Sequence, residues 1–195
     1  MERDFHALPI RALGPGAGFR RPTQTEATRV GAGSPALQVM TDLQRVAPAT
    51  IRPGAPLVGA NQFMITRGVR LLLVVDEEHE KVLGVLTAAD LLGERPMLAA
   101  TGRGLRRDEL TVADVMTPAS GVEVVSLADV EGARVGHVLE TLRRTGRQHV
   151  LVVDAAGLVR GIFSASQIAR QVGIAAPAGA EVALTFSEIE AALAK

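Results

Sequence analysis

An α+β fold, an α/β sandwich made of two tandem α-β-α-β-β-α repeats, is what this sequence predicts, and two stretches carry the prediction. The first runs from Leu71 to Asp90, LLLVVDEEHEKVLGVLTAAD. It holds an aliphatic run ending at Asp76, a polar turn, a second apolar run from Val82 to Leu86, and a helix-like segment opened by Thr87. The second is a near copy, VLVVDAAGLVRGIFSASQ, from Val150 to Gln167. Short aliphatic runs bounded by turn residues read as strands, and two of them joined by a polar turn read as a hairpin.

The remaining elements are placed around these hairpins. Residues 1–36 are rich in Gly, Pro, Arg and Thr, with isolated apolar residues and no sustained period, so a flexible arm is expected there. Within it, Ala7-Leu8-Pro9-Ile10-Arg11 has the makings of a short docking motif. The first repeat spans residues 37–93. Ser34-Pro35 predicts a helix start, cap then proline, with the helix running to about Arg45. Thr50-Ile51 is a brief strand, and Leu57, Ala60, Phe63 and Met64 lie on one face of a helix that Gly68 ends. After the hairpin, a helix from Ala88 stops at Gly93.

Residues 94–110 read as a solvated crossover linker, with Arg103, Arg106 and Arg107 as an alternative basic patch for phosphates. The second repeat, 111–174, restates the first. Thr111 to Met116 answers Val39 to Gln44, Val122 to Val125 answers the Thr50 strand, and a longer loop covers Leu127 to Ala133. Val135, Val138, Leu139 and Leu142 then give a helix that Gly146 ends, and after the second hairpin Ala165, Ile168, Ala169 and Val172 share a helix face. In the extension, 175–195, Ser187 to Glu190 is a capping-box pattern ahead of a short helix.

Composition narrows the function. The 195 residues are 47% hydrophobic, enough for a substantial core, and the formal net charge is zero. That balance gives no bulk electrostatic case for nucleic acid or an acidic membrane. Absence of cysteine removes disulfides, thiol catalysis and thiolate metal sites, and no apolar run approaches the roughly 20 residues of a membrane span. A soluble cytoplasmic protein is expected. The four histidines, His6, His79, His137 and His149, show neither metal-ligand spacing nor a Ser-His-Asp order, so no catalytic or metal residues are assigned and no enzyme is expected.

The doubled pattern of V-V-D, a turn and G-h-h-[ST]-x-x-D (h, hydrophobic), with Asp114-Val115-Met116-Thr117-Pro118 opening the second copy, resembles the cystathionine β-synthase (CBS) domain over residues 37–174. Two such repeats form what is called a Bateman module. The resemblance implies a pseudo-twofold pair packed sheet to sheet with two clefts between the repeats. It also implies a regulatory ligand, AMP, ADP, ATP or S-adenosylmethionine, and no required cofactor. In the first cleft Thr87 would meet phosphate and Asp90 the ribose, with Ala88, Thr50, Ile51 and Arg70 beside them. The second cleft would hold Ser164, Gln167, Val122 and His149, and would bind more weakly because Gln167 stands where the motif has Asp.

Elementary chemistry agrees with that division. Unpaired N–H groups at a helix start suit an anionic phosphate. A carboxylate accepts from ribose hydroxyls more strongly than a neutral group does. Thr-x-x-Asp is equally a capping-box pattern, which leaves a purely structural role open. The expected protein is a dimerising sensor that passes a ligand-driven rearrangement to a partner; the alternative is a ligand-free docking module.

Overall fold

The computed structural model describes residues 30–78 and 81–172. The Ala7–Arg11 motif, His79 and the helix expected after Ser187 lie outside the described residues.

A 3-10 turn at Ala36–Val39 leads into β1 (Thr41–Asp42), followed by β2 (Thr50–Ile51), α1 (Leu57–Arg67), β3 (Leu71–Val75), β4 (Val82–Thr87) and α2 (Ala88–Leu92). Helix α3 (Arg95–Arg103) and 3-10 turns at Arg107–Glu109 and Val112–Asp114 connect to β5 (Thr117–Pro118). The second half holds β6 (Val124–Ser126), α4 (Leu127–Gly132), α5 (Val135–Thr145), β7 (His149–Val153), β8 (Val159–Ser164) and α6 (Ala165–Gln171). Both hairpins and both exits into helices form where the sequence places them. Helices α1 and α5 end at Gly68 and Gly146, whose φ values of 62° and 63° suit a residue without Cβ.

Among the described residues two four-stranded sheets form, ordered β2-β3-β4-β5 and β1-β8-β7-β6. Each sheet borrows its edge strand from the other repeat's opening segment: β1 pairs with β8 through Thr41↔Ile162, and β5 pairs with β4 through Val85↔Thr117. This exchange fixes the true correspondence of the repeats. Met40-Thr41 answers Met116-Thr117, four residues away from the match of Val39–Gln44 with Thr111–Met116 that sequence similarity suggests.

Alternation along the central strands builds three cores. Leu72 and Val74 of β3 face α1, packing with Leu57, Ala60 and Met64, while Val150 and Val152 of β7 pack with Val138, Leu142 and Phe163. The opposite faces meet: Leu71, Leu73, Val75 and Val85 form one buried cluster with Leu151 of the other repeat. Each such fully buried aliphatic or aromatic side chain contributes about 1.5–3 kcal/mol. The two repeats therefore pack sheet to sheet.

Three expectations are corrected. The helix from Ser34 to Arg45 does not form. Ser34 Oγ accepts from Gly31 N (3.0 Å), behind it, and the backbone beyond is taken up by the second repeat through Ala36 N–H to Ala133 O (3.0 Å) and Leu43 N–H to Arg160 O (3.1 Å). The supposed linker loop contains α3, with Pro96 in its first turn. The loop Leu127–Ala133 is α4 with its C-cap, and Ser126 caps it by accepting from Asp129 N (3.1 Å).

Candidate functional site

Register brings the first exit to the seam between the sheets. Leu71 lies opposite Thr87, and Ala88 N–H donates to Arg70 O (2.9 Å), so the start of β3 and the start of α2 are tied together. Thr87 is the N-cap of α2 in a closed capping box. Its Oγ1 accepts from Asp90 N (3.2 Å) and donates to Asp90 Oδ2 (2.7 Å), which also accepts Thr87 N–H (2.9 Å). The other oxygen, Asp90 Oδ1, faces Arg95 at 3.0 Å, and Arg95 donates as well to Thr117 Oγ1 (2.9 Å).

Beside this network lies a cavity of about 400 Å³, within the usual range for a small-molecule site. Leu71, Val85, Val122 and Leu151 give it aliphatic walls. Thr87, Ala88, Asp90, Arg70 and Arg95 line it from one repeat, and Arg147, His149 and Ser166 from the other. His149 stands out: its Nδ1 is buried without a hydrogen-bond partner among the described residues. Burial, reinforced by the nearby Arg70 charge and only partly opposed by Asp90, pushes its pKa down to about 4. The ring is therefore neutral at physiological pH, and an orphaned buried nitrogen of this kind is costly unless something bonds to it.

The predicted site residues are regrouped by this geometry. Thr87, Ala88, Asp90 and Arg70 share the cavity with Val122 and His149, which the sequence assigns to the second cleft. Sheets packed face to face bring the start of β7 opposite the start of β3, so one cavity draws on both repeats. Thr50 and Ile51 do not line it. Strand β2 pairs beside Leu73 and Val74, two residues further along β3 than the Leu71–Thr87 end. Ser164 and Gln167 do not line it either: Gln167 Oε1 accepts from Thr41 Oγ1 (2.7 Å), and Ser164 makes no cap hydrogen bond.

Sequence reasoning misses Arg95, Arg147, Glu123 and Thr117. Arg95 was hidden in a supposed linker, and Thr117 reaches the cavity only through the strand exchange. A usable signal existed for Arg147, which follows the helix-ending Gly146 just ahead of β7, as Val69 and Arg70 follow Gly68 ahead of β3. The alternative phosphate patch is already engaged within the chain. Arg103 pairs with Asp114, Arg106 with Asp108, and Arg107 donates weakly to Leu91 O (3.5 Å). Among the described residues no cluster of His, Asp or Glu could hold a metal ion, and no helix is long and apolar enough to cross a membrane.

No protein of curated function matches the sequence. Solved structures do share the fold. An uncharacterized conserved protein from Pyrococcus horikoshii superposes with a TM-score of 0.53 at 19% identity, covering 79% of this chain and 98% of that one. The CBS domain pair of protein MJ0100, in complex with 5′-methylthioadenosine and S-adenosyl-L-methionine, gives 0.51 at 23% identity over 72% of this chain and 100% of that one. The CBS-domain containing protein ATU1752 from Agrobacterium tumefaciens gives 0.51 at 20% identity, over 68% and 93%. The CBS domain family itself matches residues 38–96 and again 112–173, the two repeats in turn. This chain belongs to the CBS-domain family and carries its domains as a tandem pair.

Proposed function

We propose that the chain is a cytoplasmic regulatory module that binds one adenosyl ligand per chain, an adenine nucleotide or a related compound, in the cavity between its repeats, and signals through its dimer to a partner protein. The observation that carries this reading is the composition of the cavity wall. Thr87 and Asp90 come from one repeat and the orphaned His149 from the other, around a cavity of about 400 Å³ with aliphatic walls. A ligand there touches both repeats, so it favours whichever relative arrangement of the two it fits better, and only by its difference in affinity for the alternatives. The adenosyl compounds bound by the MJ0100 domain pair support the ligand class.

A single site is favoured because Gln167 is a neutral amide engaged with Thr41 away from the cavity wall, whereas Asp90 lines the cavity as a charged acceptor with capacity at Oδ1 beyond Arg95. Isothermal titration calorimetry with an adenine nucleotide should return one site per chain, and Asp90→Ala should weaken binding at least about tenfold. Two equal sites, or an unaffected Asp90→Ala variant, would contradict this. One observation favours the competing reading of a ligand-free docking module: the Thr87–Asp90 box is complete without any ligand. With neither Trp nor Tyr in the chain, an absorbance band at 260 nm beyond its five Phe would betray co-purified nucleotide. A clean spectrum and no thermal shift with adenosyl compounds would favour the docking module instead.

A further inference from the structure

The charges around the cavity do not cancel, and the one left over is in a position to choose among adenosyl ligands. Three guanidiniums line the cavity, those of Arg70, Arg95 and Arg147. Arg95 is neutralised by Asp90 at 3.0 Å, and Arg147 by Glu123 at 3.2 Å, with a further bond to Gly121 O at 3.4 Å. No carboxylate pairs with Arg70 among the described residues. His149, neutral at physiological pH, adds nothing to the sum. The lining thus holds one uncompensated positive charge.

Most of the groups that a phosphate would otherwise use at this exit are already committed, Ala89 N–H excepted. Thr87 N–H and the Thr87 hydroxyl proton both go to Asp90 Oδ2, Ala88 N–H to Arg70 O, and Asp90 N–H to Thr87 Oγ1. Beside the Ala89 N–H, an anionic end of a ligand meets Arg70, whose planar fork matches phosphate oxygens two at a time. Arg70 is held for this at the mouth of the hairpin by its own carbonyl, which accepts Ala88 N–H, and its charge lies close enough to His149 to depress that ring's pKa.

Resting on the adenosyl reading above, we propose that the cavity selects phosphate-bearing adenosyl ligands over uncharged or sulfonium ones, and that Arg70 sets this choice. A sulfonium compound such as S-adenosylmethionine brings positive charge into a lining that is already positive, and adenosine leaves Arg70 without a partner. The neutral His149 Nδ1 serves the uncharged nucleoside portion, which all these compounds share.

Calorimetry on the full chain with AMP, adenosine and S-adenosylmethionine, at one fixed ionic strength, separates the possibilities. Wild type should bind AMP at least about tenfold more tightly than either of the others. Arg70→Ala should erase that preference while leaving adenosine affinity within about twofold, and Arg70→Lys should retain part of it. Circular dichroism melts establish that the variants are folded. Adenosine binding as tightly as AMP, S-adenosylmethionine binding more tightly than AMP, or an equal loss for AMP and adenosine in Arg70→Ala would overturn the selection by phosphate while leaving the adenosyl reading intact. Binding of none of the three would overturn both.

Discussion

The exits Gly84 to Asp90 and Gly161 to Gln167 follow the same pattern of residue types, yet their polar ends are closed by different partners. At the first, Asp90 is reached by Arg95, which is itself anchored on Thr117 of the borrowed strand β5. At the second, Thr41, the equivalent residue of the borrowed strand β1, hydrogen-bonds Gln167 directly at 2.7 Å. One position explains the divergence. A carboxylate recruits a guanidinium and remains a charged acceptor at a cavity wall, whereas a neutral amide has no charge to draw a guanidinium and bonds the neighbouring hydroxyl. The cavity lies at the charged exit, and the second repeat contributes to it from the other side, through His149.

The glycines that lead into the two exits offer the strongest way to break this comparison. A Cβ on Gly84 would stand 2.3 Å from the Thr117 carbonyl oxygen, on the backbone of the borrowed strand. A Cβ on Gly161 would stand 2.4 Å from Met40 Sδ, on a flexible side chain. Gly84→Ala should cost about 3 kcal/mol, because β5 must shift and take Thr117, and with it the anchor of Arg95, out of place. Gly161→Ala should cost about 1 kcal/mol or less, since Met40 can choose another rotamer. Chemical denaturation measures both. Equal losses would mean that the two borrowed strands are held alike.

How far the site was legible in the sequence follows from the same exchange. Hairpins, helix faces and the Thr87–Asp90 motif are local patterns, set by period and by capping chemistry within about twenty residues. Thr117 reaches the first exit, and Thr41 the second, only because strands cross between sheets, and nothing local in Met-Thr-Asp or Met-Thr-Pro marks that crossing. Helix α3 was misread for another reason. Its Gly and Arg content suggests a loop, while packing of Pro96 and partial burial of Ala99 and Ala100 against the first core make it a helix. His149 was legible as a strand start; that it serves the cavity of the other repeat's exit depends on sheet-to-sheet packing.

A pH titration sharpens the contrast at His149, whose strand partner across β8 is Ser164 but whose surroundings belong to the Thr87 exit. Its folded pKa of about 4 lies below the ordinary 6.5. Between those values the unfolded chain takes up a proton that the folded chain refuses, so this contribution is complete above pH 6.5 and is lost as pH falls toward 4. The loss should be on the order of 3 kcal/mol across that window. His149→Gln should flatten the slope there. Asp42, held low by Arg160, and Asp114, held low by the Thr111 amide, lose their contributions only around and below their ordinary 3.8, so the two effects separate on the pH axis. An unchanged slope in His149→Gln would remove His149 from the account.

The smallest effect tests the hydroxyls themselves. Thr87 closes a capping box, whereas Ser164 makes no cap hydrogen bond and instead meets Ser166 Oγ at 3.0 Å. Removing a working N-cap typically costs about 1 kcal/mol, so Thr87→Ala should lower stability by about that much and Ser164→Ala by no more than a few tenths. Thr87→Ser, which keeps the oxygen, should recover most of the loss. The distinction bears on binding as well. If the Thr87 hydroxyl is spent on Asp90, its loss loosens the carboxylate's orientation, and AMP and adenosine should weaken together. A selective loss of AMP in Thr87→Ala would instead show the hydroxyl turning from Asp90 to phosphate when a nucleotide is bound, and the first exit would then owe its anion recognition to Thr87 as well as to Arg70.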